Sequence, residues 1–218
     1  MKYLGDDFSK QTNFTPHVGA VTSKIVLNVL SEHGLHSTAL QAATSVQEPS
    51  WGWWFAQGST TCWEQFPAAG GTRNHIFLCG GIGHWMWKHL VGLDRTSPGF
   101  ATVKIAPKID DTYGPKSTSG EFLSPRGLIK SSWTLGSTFS LDVTLPVGVQ
   151  AATITVPAPP VPSAQQQLTV TLNGKPIWKE GKFEAQPGCK SGKETKEGPD
   201  AVVFECSNGI LSFVAKMD

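Results

Sequence analysis

Residues 82–105 read Ile82-Gly83-His84-Trp85-Met86-Trp87-Lys88-His89-Leu90-Val91-Gly92-Leu93-Asp94-Arg95-Thr96-Ser97-Pro98-Gly99-Phe100-Ala101-Thr102-Val103-Lys104-Ile105. Up to Leu90 the side chains Ile82, Trp85, Met86, His89 and Leu90 recur at helical spacing, and Gly92 can close a helix as its C′ residue. From Ala101 the pattern alternates residue by residue, which is the period of a half-buried strand. The chain changes its period near residue 93. It therefore divides into a helical part, residues 1–93, and a β part, residues 94–218.

Upstream of the switch, Val18, Val21, Ile25 and Val29, with Val26 and Leu30, form an apolar stripe ended by Gly34. Ser37 suits the N-cap of an Ala-rich helix from Thr38 to about Val46, which Pro49 terminates. A third helix is expected from Ser59 through Thr60 to Gln65, and a fourth from Arg73 to Leu90. Gly80, Gly81 and Gly83 inside the fourth cost about 1 kcal/mol each relative to Ala, a cost that implies close backbone approach to a neighbouring helix or a ligand.

Downstream, alternating runs occupy 101–105, 128–133, 139–143, 152–156, 167–172, 201–205 and 210–213. Asn173-Gly174 and Asn208-Gly209 are hairpin signals. Seven or eight strands with turns between them read as an antiparallel β-sandwich. Pro187–Pro199, rich in Lys, Gly and Glu, reads as a solvated, mobile loop. The fold class is α+β in two parts.

Eighteen basic side chains balance seventeen acidic ones for a net charge of +1, which excludes the electropositive field of a nucleic-acid binder. No apolar run approaches the roughly 18 residues a membrane span needs, and Met1–Phe14 lacks the apolar centre of a signal peptide. The four cysteines (Cys62, Cys79, Cys189, Cys206) contain no CxxC pair and no His at ligand spacing, so neither a metal nor any other cofactor is expected. Cys189 and Cys206 flank a hairpin-like stretch, a spacing that permits a disulfide without requiring one. Asn13-Phe14-Thr15 is a lone glycosylation sequon. These features leave the compartment open.

Eight Trp against two Tyr is an unusual ratio. Indoles pack on the C–H faces of sugars, although most Trp residues are simply core. Six of the eight fall in the helical part, too many for about 92 residues to bury. An exposed apolar helical face able to meet a partner is therefore expected.

The densest chemistry lies in Pro49-Ser50-Trp51-Gly52-Trp53-Trp54, in Gly58-Ser59-Thr60-Thr61-Cys62-Trp63-Glu64, and in Arg73-Asn74-His75. Indoles desolvate a neighbouring carboxylate, a setting suited to proton transfer at neutral pH. On the residues alone the commoner outcome for Glu64 is a solvated carboxylate near a helix end or a partner for Arg73, and for His75 a satisfied core histidine.

These blocks resemble the C-terminal part of the catalytic domain of α-L-rhamnosidases, glycoside hydrolase family 78. The resemblance continues through Gly92-Leu93, Pro98-Gly99-Phe100, Ile105-Ala106-Pro107, the stretch from Gly127 to Trp133, and Asn173-Gly174-Lys175-Pro176. It implies part of an (α/α)6 toroid, about four helices of it, followed by a β-sandwich. It also implies inverting hydrolysis of terminal α-L-rhamnose from a small molecule or polysaccharide. Carried over, Glu64 would be the general base. His75 and Asn74 would bind sugar hydroxyls, and Trp51, Trp54 and Trp63 would wall the sugar. The family's general acid lies in an Asp-Gly-rich segment upstream. Here only Asp6, Asp7, Glu32 and Glu48 precede Glu64, and none sits in that motif. The chain thus reads as a C-terminal portion of such an enzyme, weak or inactive alone. A non-catalytic carbohydrate-binding remnant and an interaction module are the alternatives.

Overall fold

A computed structural model describes residues 18–64, 71–160, 167–195 and 200–218. The chain falls into two compact units, one running to Met86 with Thr112–Gly114 added, the other holding Trp87–Asp111 and the chain from Pro115.

The first unit carries α1 (Ala20–Glu32), α2 (His36–Thr44), α3 (Trp51–Ala56) and α4 (Ile76–Trp85). No described helix is long and apolar enough to cross a membrane. In α1 the buried face is Val26, Leu27 and Leu30, while Ile25 is 53% exposed. Ile25 therefore departs from the stripe expected of it. Gly34 ends α1 as expected, at φ +82°, and Leu35 N–H donates to Leu30 O at 2.9 Å. That bond is the Schellman closure of a helix C-terminus. It turns the chain directly into α2, so Ser37 sits inside the first turn instead of capping it. Trp85 Nε1–H donates to Ser31 Oγ at 2.8 Å, and Ser31 Oγ lies 2.9 Å from His36 Nδ1, which ties α1, α2 and α4 through one buried polar chain.

Two helix expectations fail. Residues 59–64 are not helical, and the third helix comes earlier, where Ser50 Oγ accepts from Trp53 N–H at 3.0 Å as an N-cap. Gln65 lies outside the described residues. The fourth helix begins at Ile76 and not at Arg73, because His75 is extended and its N–H donates back to Cys62 O. After Trp85 it widens into a π-helical turn, Met86–Val91, that ends at Gly92 with φ +86°. The glycine expectation holds at Gly81, where a Cβ would lie 2.6 Å from Lys24 Cα on α1. A Cβ at Gly83 meets nothing within 4 Å. Gly83→Ala is therefore expected to stabilise the helical unit by about 1 kcal/mol, read as a higher urea midpoint with the slope unchanged.

The second unit contains twelve strands among the described residues: β1 (Leu93–Arg95), β2 (Thr102–Ile105), β3 (Ser117–Ser124), β4 (Gly127–Leu135), β5 (Phe139–Leu145), β6 (Ala151–Pro157), β7 (Leu168–Leu172), β8 (Lys175–Lys179), β9 (Lys182–Phe183), β10 (Cys189–Glu194), β11 (Ala201–Cys206) and β12 (Gly209–Met217). They form a five-stranded sheet, β1-β2-β6-β11-β10, and a seven-stranded sheet, β3-β4-β5-β12-β7-β8-β9. Pairing is antiparallel except between β2 and β6. The alternating runs supply the core: Phe139, Leu141 and Val143 from β5, Leu211 and Phe213 from β12, Ile154 from β6 and Phe204 from β11. Phe204 and Phe213 bring the two sheets together by stacking at 5.5 Å.

The extra strands are mostly edge elements, half exposed, with no apolar alternation to announce them. Part of the expected Pro187–Pro199 loop is β10, pinned to β11 by the Cys189–Cys206 disulfide. Asn173-Gly174 joins β7 to β8 with both residues at positive φ (50° and 80°), as a type I′ turn requires. Asn208-Gly209 does something else. It links β11 in one sheet to β12 in the other, so it is a crossover and not a hairpin.

Candidate active site

Ser50 fixes the start of α3, and the i, i+3 spacing that follows puts Trp51 and Trp54 on its inner side, each 2% exposed. Trp53 is half-buried and Phe55 is exposed. Beyond Gly58 the chain continues without helix to Glu64, with bends at Thr60, Thr61 and Glu64. Glu64 N–H donates to Thr72 O at 2.8 Å, and His75 N–H donates to Cys62 O at 2.7 Å. Thr61 Oγ1 donates to Arg73 O. Residues 61–64 and 72–75 therefore form a short two-stranded ribbon, further fixed by a disulfide at Cys62.

Between these rungs Trp63 and Arg73 come together. Trp63 is buried, edge-on to Trp53 and tilted against Trp54, with centroids 5.9 Å apart in both cases. The Arg73 guanidinium carbon lies over the Trp63 ring, 4.6 Å from its centroid, a cation–π contact. Glu64, half-buried, accepts through Oε2 a hydrogen bond of 2.9 Å from Thr72 N–H. A Cβ at Gly71 (φ +76°) would lie 3.0 Å from that Oε2 and 3.2 Å from Glu64 Cβ. Gly71 and Thr72 thus lie directly against the carboxylate and hold its Oε2.

Trp54 and Trp63 pack together, Trp51 is buried on the same helix as Trp54, and Glu64 follows Trp63 in the chain. His75 is half-buried and Asn74 exposed on the returning arm. Glu64 and His75 are joined through the ribbon backbone, and no side-chain hydrogen bond links them among the described residues. Glu64 and Arg73 likewise form no ion pair there, so the reading of Glu64 as a partner for Arg73 is not realised. Glu32 and Glu48 are exposed, and Asp6 and Asp7 lie outside the described residues. Sequence reasoning missed the fixing of Glu64 by Thr72 and the stacking of Arg73. The Gly70-Gly71 pair was the available signal, since two glycines favour a turn that would set 61–64 against 72–75.

A hollow of about 350 Å³ lies within the β unit at Gln167, Glu180, Glu194, Asp200 and Met217. Its lining holds no aromatic side chain on which a sugar could stack.

Residues 6–90 match the family model for the bacterial alpha-L-rhamnosidase six-hairpin glycosidase domain, and residues 92–171 match that for the bacterial alpha-L-rhamnosidase C-terminal domain. An alpha-L-rhamnosidase of Alteromonas sp. (strain LOR) is 27% identical over 168 residues, covering 72% of this chain and 17% of that protein. One of Formosa agariphila is 27% identical over 191 residues, covering 78% and 20%. The chain spans about a fifth of the length of these curated relatives. Its fold is that of the alpha-L-rhamnosidase structure from Dictyoglumus thermophilum, with a TM-score of 0.82 at 21% identity over 99% of this chain and 23% of the other. The Streptomyces avermitilis alpha-L-rhamnosidase complexed with L-rhamnose aligns with a TM-score of 0.74 at 22% identity, over 95% and 19%.

Proposed function

The chain belongs to the bacterial α-L-rhamnosidase family, and from that premise we propose that it carries the base-bearing wall of a site that hydrolyses terminal α-L-rhamnosides with inversion. The observation that supports this best is the hold on Glu64. One carboxylate oxygen is held by Thr72 N–H against Gly71, and Glu64 directly follows Trp63, whose ring packs against Trp54.

In this reading Glu64 takes a proton from water as the water oxygen attacks the anomeric carbon from the face opposite the leaving group. The C1–O bond to the aglycone breaks as the new one forms, and rhamnose leaves as the β-anomer. Asn74 and His75 hydrogen-bond the sugar hydroxyls. Trp51, Trp54 and Trp63, being buried, back the wall that receives the C6 methyl, with Trp53 nearer its surface. The general acid must stand roughly 6.5–9.5 Å from Glu64 to admit the water. We place it outside residues 18–64 and 71–86, because the carboxylates of these stretches other than Glu64 are exposed on α1 and ahead of Pro49.

Proton NMR of an aryl α-L-rhamnoside incubated with the chain tests the stereochemistry. β-L-Rhamnose is expected to appear first and to mutarotate later. Initial release of the α-anomer would overturn inversion. Quenching of Trp fluorescence by millimolar L-rhamnose is expected alongside, and no quenching would count against the sugar site itself.

A further inference from the structure

The fold treats its disulfides differently. Cys189–Cys206 joins the neighbouring strands β10 and β11 within the β core, with its cysteines 5% and 2% exposed. Cys62, also disulfide-bonded, is half-buried and lies in the ribbon that carries Glu64. Among the described residues of that ribbon, 61–64 and 71–75, only Trp63 is buried, and residues 71–74 are exposed. The two arms are joined by hydrogen bonds from Glu64 N–H to Thr72 O, His75 N–H to Cys62 O, Thr61 Oγ1 to Arg73 O and Thr72 N–H to Glu64 Oε2. Hydrogen bonds that water can replace, with little apolar burial behind them, open at low free energy. A covalent link in such a segment removes many of the open conformations it could otherwise reach. The link at Cys62 is two residues from Glu64, and the Cys62 carbonyl itself holds His75 N–H.

We propose that the Cys62 disulfide is a redox latch on this ribbon: oxidised, it keeps Glu64 and His75 in register, and reduced, it releases them. That the latch controls a sugar site rests on the reading of Glu64 and His75 as rhamnoside-binding groups. In the switching step a thiolate of an external dithiol attacks one sulfur of the bond and forms a mixed disulfide. The second thiol of the same molecule then displaces the protein sulfur. Two electrons and two protons pass to the protein, which gains two thiols, and the dithiol leaves as its own intramolecular disulfide. The half-buried Cys62 bond reacts ahead of the enclosed Cys189–Cys206 bond, because the attacking thiolate must reach sulfur.

The test treats the full chain with graded dithiothreitol at neutral pH, alkylates the thiols formed and maps them by peptide mass spectrometry. Cys62 is expected to be half-alkylated at a dithiothreitol concentration about tenfold or more below that needed for Cys189 and Cys206. At that concentration amide hydrogen exchange in residues 61–64 and 71–75 should quicken about tenfold or more, with β5 and β12 unchanged. Cys62→Ser should show the same quickening without reductant, and if that variant does not fold, the reduced wild-type chain supplies the measurement. L-Rhamnose quenching of Trp fluorescence should be lost on reduction and return on reoxidation with oxidised glutathione. Reduction of Cys189–Cys206 before or together with Cys62 overturns the proposal. Ribbon exchange that is unchanged in the reduced chain overturns it too, as does equal quenching by L-rhamnose in the two states. If exchange switches as expected but L-rhamnose is silent in both states, the rhamnoside reading has failed and the latch on the ribbon stands.

Discussion

Gly81→Leu is expected to destabilise the helical unit by about 3 kcal/mol or more, because the obstacle is main chain and not a side chain that can turn aside. A Cβ at Gly81 would lie 2.6 Å from Lys24 Cα, 2.9 Å from Lys24 O and 3.0 Å from Lys24 C. Relief requires α1 and α4 to separate. Separation opens the interface that buries Leu27, Leu30 and Trp85 and breaks the Trp85–Ser31 hydrogen bond. Gly83, two residues on in the same helix with open space around it, is the internal control. Helix propensity alone favours both substitutions, so opposite signs at 81 and 83 isolate the packing term. The measurement is urea unfolding followed by far-ultraviolet circular dichroism. A midpoint for Gly81→Leu at or above wild type would show that α1 and α4 are not in backbone contact.

That glycine shows what a single sequence can reveal. A residue that lowers helix propensity inside an otherwise apolar helix marks close approach, and the inference needs no knowledge of the partner. The β core was legible for the same kind of reason. Phe139-Ser140-Leu141-Asp142-Val143 alternates because one face of β5 is buried and the other is wet. Edge strands have no such constraint, so β10, with Cys189 as its one buried side chain, reads as loop until its pairing with β11 is seen. Asn208-Gly209 misled because a turn signal fixes local φ and carries no information about which sheet the next strand joins.

Within the site, the residues that bear chemistry were legible and their framework was not. A helix over Thr60–Gln65 is the local expectation, because its hydroxyls and Trp63-Glu64 suit a first helical turn. Local preference lost to the pairing of residues 61–64 with 72–75, which no short window contains. The error matters chemically. On a helix Glu64 would lie along the helix surface, whereas here it lies against Gly71 and takes the Thr72 N–H. The same pairing puts Arg73 opposite Trp63, a juxtaposition invisible at ten residues' separation.

The ribbon also determines how the base should be removed. Glu64→Gln is expected to bring the weak rate of 4-nitrophenyl α-L-rhamnoside hydrolysis by this chain down to that of buffer, with little change in unfolding midpoint. The amide oxygen of the introduced glutamine can still accept from Thr72 N–H, so the 71–72 turn survives while the basicity is lost. Glu64→Ala removes both and should cost stability as well as rate, which separates the structural role of the side chain from the chemical one. The nitrophenolate is a good leaving group and departs without a proton, so this substrate reports the base even where the general acid contributes nothing. Azide, which attacks carbon without needing deprotonation, should then restore turnover in Glu64→Ala and give β-L-rhamnosyl azide. Equal rates for the wild-type chain and Glu64→Gln, both above the buffer rate, would remove this carboxylate from the mechanism. A wild-type rate no greater than that of buffer would remove hydrolysis from what these 218 residues do.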